Sequence, residues 1–522
     1  MADPEKLASV VADEASLKAD DDAALGTKAD KDLTLGDALQ NYRPAIAWSV
    51  LISLATVMES YDMLIISSFY AFPQFKEKYG VQLADGSWSV PAKWQMALSL
   101  ASLIGLIIGV FANGTLVDRY GPRRVIMASH VVLIGFVFIT FFAQSIEVLF
   151  AGELLCSIPW GFFAAATTAY AAEVCPMALR GYLTTFVNLC WVIGHLVATG
   201  LLTGLIKNTT QWSYRIPFAL QWALPVPLFF VTWLAPESPW WLVRQKRFDE
   251  ARVSLRRLLS RKTTDADIRV DRHVAMIQHL TRLEQEMQVG SSYRECFRGT
   301  NRRRTEISMV SWGFQMVPGF AIQNYITYFF ELAGLSSSEA FKVALGSYSL
   351  AFIGTCFSWV LQAHIGRRTI YIMGLIAMLP IMLIVGFLDL APASSSIRWA
   401  QAALLLSWFF IYGSTIGPIP YAIAAEVGAS KLRVKTISLG RNMYYILSLI
   451  STCVSPYMLN PADGNLKGKA AFPAALFTLL LLIWAYFRLP ETRGLTTETL
   501  DHLFHQKVPA RRFVDEAKRY QD

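Results

Sequence analysis

Runs of about 18 to 25 mostly apolar residues recur twelve times in this chain, beginning near residues 46, 94, 125, 148, 183, 216, 306, 340, 370, 398, 435 and 470. In hydrocarbon no water satisfies backbone N–H and C=O groups, so runs of this length are confined to helices that bond internally. The sequence therefore predicts an all-α membrane protein of twelve transmembrane helices. Composition agrees: 54% of residues are hydrophobic and 16% charged, with a mean hydropathy of +0.38, whereas soluble chains carry about 25% charged residues.

Lys and Arg set the expected orientation. The polar stretch between the sixth and seventh runs is densely basic (Arg256, Arg257, Arg261, Lys262, Arg302, Arg303, Arg304), as are the turns at residues 118–124 and 366–368. By the positive-inside rule these segments and both termini are cytoplasmic. That bias accounts for the net charge of +8, and no nucleic-acid partner is needed to explain it. The expected organisation is a disordered cytosolic tail over 1–44, a six-helix half over 45–235, a cytoplasmic linker with short helices over 236–305, a second six-helix half over 306–490 and a cytosolic tail over 491–522. The tail lacks the apolar core of a signal peptide. Six cysteines are spread over spans and basic-side segments without disulfide or metal-ligand spacing. Asn208-Thr209-Thr210 fits a glycosylation acceptor close to the membrane.

The halves repeat each other. Ala171-Ala172-Glu173-Val174 followed by Leu179-Arg180 recurs as Ala424-Ala425-Glu426-Val427 followed by Leu432-Arg433, and Pro236-Glu237-Ser238 recurs as Pro490-Glu491-Thr492. Gly121-Pro122-Arg123-Arg124 has a counterpart in Gly366-Arg367-Arg368. The matches keep the same order and the same place in each six-span unit, which implies two parallel repeats with a site between them near the midplane. Glu173 and Glu426 are placed to form forked ion pairs with Arg residues from the turns of their own half, a latch that holds one conformation and parts in another. The plainer reading is that these charges anchor helix ends at headgroups.

Charges inside the runs point to function. Glu59 and Asp62 lie three residues apart in the first run, on one helix face, and a carboxylate near the bilayer centre costs about 2.5–3.5 kcal/mol on insertion scales. Glu153 lies in the fourth run. Helix rise puts Asp62 and Glu153 in the outer half of the membrane and Glu59 slightly deeper. Three poorly solvated carboxylates without a cation repel one another, so the cluster holds a proton until it opens to water. Such a cluster would serve as a proton site; the plainer alternative is that hydroxyl and backbone groups hold Glu59 and Glu153. Arg441 sits about 9 Å into the eleventh run, either snorkelling to the cytoplasmic surface or reaching the central cavity.

Five segments together resemble the sugar porter family of the major facilitator superfamily. They are Gly114-x-x-x-Asp118-Arg119-x-Gly121-x-Arg123-Arg124, Ala172-Glu173-Val174 to Arg180-Gly181, Pro236-Glu237-Ser238-Pro239, Gly417-Pro418-Ile419-Pro420 and Pro490-Glu491-Thr492-Arg493-Gly494. Glu59-Ser60-Tyr61-Asp62, the segments 155–161 and 188–191, and Glu237-Ser238-Pro239-Trp240-Trp241 look like the fungal α-glucoside (maltose-type) proton symporters. The resemblance implies a major facilitator fold with a sugar between the halves. Asn188 takes the place of a binding Gln on the fifth span, and Gln315 matches the first Gln of a pair whose second member is here Met316. Ala321 replaces a family Asn, with Gln323 and Asn324 nearby as substitutes. Tyr421 stands where the family stacks a Trp on the sugar, and Asn442, Tyr444 and Tyr445 where the second half contacts it. Intramembrane amides also serve simply as glue between helices, and Gly417-Pro418 as a kink without a substrate role. The resemblance makes Asp62 the expected main proton site, with Glu59 and Glu153 tuning or sharing it, but expects an Arg where this chain has Glu153.

No phosphate-cradling glycine loop, zinc-ligand spacing or nucleophile elbow is present, so an enzyme or ATP-driven pump is not expected, nor any cofactor or metal. The expected function is secondary transport, by a monomer in the plasma membrane, of an α-glucoside disaccharide with a proton. Facilitative sugar transport, symport of a β-linked disaccharide and a non-transporting sugar receptor are the alternatives.

Overall fold

The computed structural model describes residues 21–521 except 70–72, 83–87, 206–207, 264, 287–291, 321, 324–325, 327–328, 331–336, 393 and 460–465. Ten helices are long and apolar enough to cross a membrane: Arg43–Phe69, Lys93–Tyr120, Pro122–Phe141, Ile146–Val174, Met177–Leu205, Trp212–Leu234, Lys342–His364, Arg367–Leu388, Ser395–Val427 and Lys467–Arg488. They are the first to sixth, eighth, ninth, tenth and twelfth of the expected spans. The seventh and eleventh are not among these, and the seventh continues into residues only partly described. The seventh, Asn301–Gly313, passes into a 3-10 turn at Phe314–Gly319. The eleventh, Arg433–Leu459, is long enough, but Arg433, Lys435, Arg441 and Asn442, all buried, dilute its apolarity. Those breaks and buried polar groups sit where backbone and side chains face protein rather than lipid. A two-stranded pairing of Val81–Gln82 with Trp88–Ser89 is the β structure among the described residues.

Local sequence explains the helix ends. Ser145 and Ser394 cap the fourth and tenth spans by accepting from Val148 N (3.4 Å) and Ile397 N (3.2 Å), and Pro122 begins the third span at a position whose N–H is unused. The repeated acids perform one job twice. Glu237 Oε1 accepts from Arg123 N at 3.1 Å, and Glu491 accepts from Arg367 N at 2.8 Å and Arg368 N at 3.2 Å. Each carboxyl thus binds the N-terminus of the third or ninth span, where the helix dipole favours negative charge. Gly121 (φ +87°) and Gly366 make room: an added Cβ would come within 2.8 Å of Glu237 Oε2 and 2.0 Å of Glu491 Oε2.

One apolar core joins residues of the first six spans to Trp312, Met316, Tyr421, Tyr444 and Tyr445, and a second lies within residues 307–517. The linker folds as Pro239–Arg244, Phe248–Leu258 and Ala266–Glu286; in the middle helix Ala251, Leu255 and Leu258 are buried, the i, i+4, i+7 stripe of an amphipathic surface helix. Among the described residues before the first span are helices at 21–32 and Leu35–Asn41. Composition suggested disorder there, but Ala23 and Ala38 bury against the body, and Asp30 Oδ1 accepts from Met177 N at the start of the fifth span (3.1 Å).

Candidate functional site

The inward face of the first span, Ala55–Phe69, buries Glu59, Ser60, Tyr61 and Asp62, each 0% exposed. The fifth span approaches closely because position 194 is glycine; a Cβ there would meet Ser60 Oγ at 2.0 Å and Val57 O at 2.3 Å. Small residues at such crossings let membrane helices pack backbone to backbone.

Glu59 does not join an acid cluster. Its Oε1 lies 2.5 Å from Arg441 Nη2 on the eleventh span, in an ion pair of 0% and 1% exposed side chains that bridges the two halves. Tyr445 donates its hydroxyl to the same Glu59 oxygen. Arg441 also donates through Nε to Tyr445 Oη (3.0 Å) and through Nη1 to Tyr421 Oη (3.2 Å), with the Tyr444 and Tyr445 rings at 4.9 and 4.8 Å. Arg441 therefore does not snorkel; the fork of donors and the aromatic faces hold it at depth.

Asp62 and Glu153 form a separate pair. The two buried carboxyls are close enough to act on each other electrostatically. Asp62 Oδ1 accepts from Gln221 Nε2 at 2.5 Å and Glu153 Oε2 from Ser102 Oγ at 3.3 Å, while Asp62 Oδ2 and Glu153 Oε1 meet no other donor. The anticipated triad is thus a neutralised Glu59 beside a carboxyl pair that has no ion-pair partner among the described residues. Gln221, missed in the sequence, was signalled only as an amide inside the sixth apolar run.

The candidate sugar residues lie in the same central region. Asn188 is 6% exposed and approaches Gly417 of the tenth span, whose added Cβ would sit 3.5 Å from Asn188 Nδ2. Tyr421 packs on Trp312 (4.5 Å between centroids) and Tyr444 near Trp191 (6.5 Å). Gln323 reaches the Tyr412 hydroxyl, and Met316 accepts from Ser448 Oγ at 3.4 Å. Gln315 Oε1, Gln323 Oε1, both Asn442 amide atoms and Trp191 Nε1 are buried without a protein partner, a supply of donors and acceptors suited to hydroxyl-rich ligands. Asn324 lies outside the described residues. Tyr445 is committed to Glu59 and Arg441. Among the described residues no group of three His, Cys, Asp or Glu gathers to hold a metal ion.

The latch residues pair in two different ways. In the second half Arg367 Nη2 meets Glu426 Oε1 at 3.2 Å and Thr492 Oγ1 donates to Glu426 Oε2 at 2.5 Å, the pairing expected from the repeat. In the first half Glu173 is held instead by Arg244 (3.2 Å) and Ser238 (2.5 Å). Arg123 donates to Thr232 O and Trp233 O, Arg180 donates to Ala172 O (3.1 Å), and Arg119 lies over the Tyr120 ring. Arg124 is exposed and sits electrostatically beside Glu237. The linker supplied a partner that the turn was expected to provide. Asp118 pairs with Lys435 across the halves, and the linker joins the second half where Arg244 Nη1 donates to Ser430 O at 2.9 Å and Arg433 lies over Trp240 at 5.1 Å. The basic face is closed by these contacts.

Burial pushes the Glu237 carboxyl up to about 7, against N–H bonds from Arg123 and Ser238 that favour its ionised form. The folded protein then retains a proton that the unfolded chain releases near 4.5, so this group's contribution to stability falls as pH rises from about 4.5 to about 7. Thermal unfolding of Glu237→Gln should fall less steeply over that window than wild type; equal slopes would remove Glu237 as a source of pH dependence.

Residues 48–504 match the sugar (and other) transporter family. The general alpha-glucoside permease of Saccharomyces cerevisiae is 39% identical over 503 residues, covering 95% of this chain and 81% of the permease. The Saccharomyces cerevisiae maltose permease MAL61 is 37% identical over 496 residues, covering 94% and 81%. Among solved structures, the major facilitator proton:xylose symporter XylE bound to 6-bromo-6-deoxy-D-glucose superposes with a TM-score of 0.76 at 18% identity, covering 88% of this chain and 99% of that one, a likeness of fold. With a matched region that runs from the first span to the C-terminal tail, the chain belongs to the sugar transporter family, and its twelve spans form the two six-helix repeats of the major facilitator fold.

Proposed function

We propose that this protein imports an α-linked glucose disaccharide such as maltose together with a proton, by alternating access, as a monomer in the plasma membrane with its basic face and termini in the cytosol. The carrying observation is the Asp62–Glu153 carboxyl pair, buried with no ion-pair partner among the described residues, one helical turn from the Glu59–Arg441 bridge between the halves. The permease and maltose names of the relatives support the substrate class.

The coupling follows from charge. With one proton on the pair, one carboxyl donates to the other and the first and fourth spans stay together; without it, two carboxylates repel. Because Glu59 rides on the same helix three residues away, movement of the first span strains its bond to Arg441 and hence the contact between halves. Sugar hydroxyls compete for Tyr421, Tyr444, Asn188 and Gln315, biasing the same interface. Opening the basic face then requires Asp118–Lys435 and Arg244–Ser430 to part.

Uptake by cells lacking their own carriers tests this, offering maltose, sucrose, trehalose, lactose and glucose while external pH is recorded. Maltose uptake with alkalinisation of the medium is the expected result. Uptake without alkalinisation rejects symport, and lactose-only or glucose-only uptake rejects the substrate class.

A further inference from the structure

On the basic face, away from the central site, a cleft of about 390 Å³ lies between the start of the seventh span (Gly299, Thr300, Arg303), the end of the twelfth (Phe487, Arg488) and the C-terminal tail around Lys507. Among the described residues it is lined by three cationic side chains, of which Arg488 is paired with Glu306, and by no carboxylate. The nearby acids are already engaged: Glu306 by Arg488 and by Trp484 Nε1 at 3.1 Å, and Asp501 by Arg304 at 2.6 Å. Arg303 is fixed, donating through Nη1 to Val508 O at 2.6 Å and lying over Phe504 and Phe513 at 5.5 and 5.4 Å. Its Nε is buried without a protein partner, and Arg488 stands near it as a like charge. A fourth cation, Arg511, stacks on Tyr486 and Phe487 at 4.4 and 4.6 Å beside the cleft.

Two further features single out the ligand. Tyr486 and Phe487 are 47% and 56% exposed at the last turn of a membrane span, so the cleft opens at the border of the bilayer, where headgroups lie. Lys507 is held in left-handed backbone at φ 54°, a conformation uncommon for a residue other than Gly, Asn or Asp. Clustered cations without carboxylates, at membrane-border depth and under an aromatic wall, suit a phosphate carrying negative charge.

We infer that this cleft is a binding site for a phosphate-bearing anion, seated between the seventh and twelfth spans and closed by the C-terminal tail, with an anionic phospholipid headgroup as the source its position favours.

The test uses full-length protein in phosphatidylcholine vesicles with and without phosphatidic acid, and in a second arm adds inorganic phosphate to phosphatidylcholine vesicles alone. Lipid retained through gentle extraction and the thermal unfolding midpoint are read in each. Wild type should retain phosphatidic acid in preference to phosphatidylcholine and unfold at higher temperature with it. Lys507→Asn removes the charge while tolerating the backbone, and should weaken retention about fivefold, the effect of one cation near a charged surface; Lys507→Arg should retain it. A Lys507-dependent midpoint shift with inorganic phosphate, and none with phosphatidic acid, supports the site with a soluble phosphate as its source. No response to either phosphate in wild type, or a response that Lys507→Asn leaves unchanged, overturns the inference.

Discussion

Arg441→Gln is expected to abolish sugar accumulation and to lower folding stability by about 3–5 kcal/mol, the cost of leaving one member of a buried pair uncompensated. The stranded group is Glu59, 0% exposed, with, among the described residues, the Tyr445 hydroxyl left to answer its charge. Glu59→Gln strands the guanidinium instead, which keeps Tyr421 and Tyr445 as acceptors and four aromatic rings within 6 Å, so its penalty should be the smaller. The double variant removes both charges and should recover most of the stability without restoring uptake, because a neutral amide pair no longer resists or reports movement of the first span. Thermal unfolding of the two single variants and the double variant gives the coupling directly. If the double variant is destabilised by the sum of the singles, the bridge is not what joins the halves. Arg441→Lys should behave nearly as badly as Gln, since a point charge cannot serve Glu59, Tyr421 and Tyr445 from one forked group.

The bundle, its order and its internal repeat were legible because hydrophobic length and duplicated motifs are one-dimensional signals. The chemistry of the site was legible only in part. Glu59, Asp62 and Glu153 stand out in sequence because each is costly in hydrocarbon, but cost alone does not say which acid faces which partner. Arg441 lies 382 positions from Glu59, and counting helical rise from Lys435 places its Cα without telling how far its side chain reaches toward the other half. That reach separates a tuned triad from a bridge beside a carboxyl pair. The latch shows the same limit. The repeat placed Arg367 with Glu426 in the second half. In the first half the linker helix Pro239–Arg244, for which the second half has the sequence Arg493-Gly494 instead, brings Arg244 to Glu173. The helices at 21–32 and Leu35–Asn41 escaped composition because their few buried alanines and the Asp30 bond to Met177 N exist only once the fifth span and linker are in place.

Asp62→Asn is expected to fold, to carry sugar down its gradient and to lose proton-driven accumulation. Asparagine is close in shape to a protonated aspartate, and its carbonyl oxygen can still accept from Gln221 Nε2, now 2.5 Å from Asp62 Oδ1. Its amide can donate toward Glu153 in place of a proton shared by the pair. What it cannot do is release that proton when the site opens to the opposite side. A membrane potential of about 100 mV is worth about 2.3 kcal/mol per charge, so one coupled proton sustains roughly fiftyfold accumulation, which should collapse toward equal concentrations inside and out. Glu153→Gln removes the other half of the pair and should give a similar loss, and combining the two should cost little more, since either alone empties the same proton site. Retention of accumulation by Asp62→Asn, with the pH dependence of wild type, would sink the assignment and return the search to Glu59. Retention by Glu153→Gln alone would make Asp62 the sole carrier and Glu153 a neighbour that only sets how firmly the proton is held.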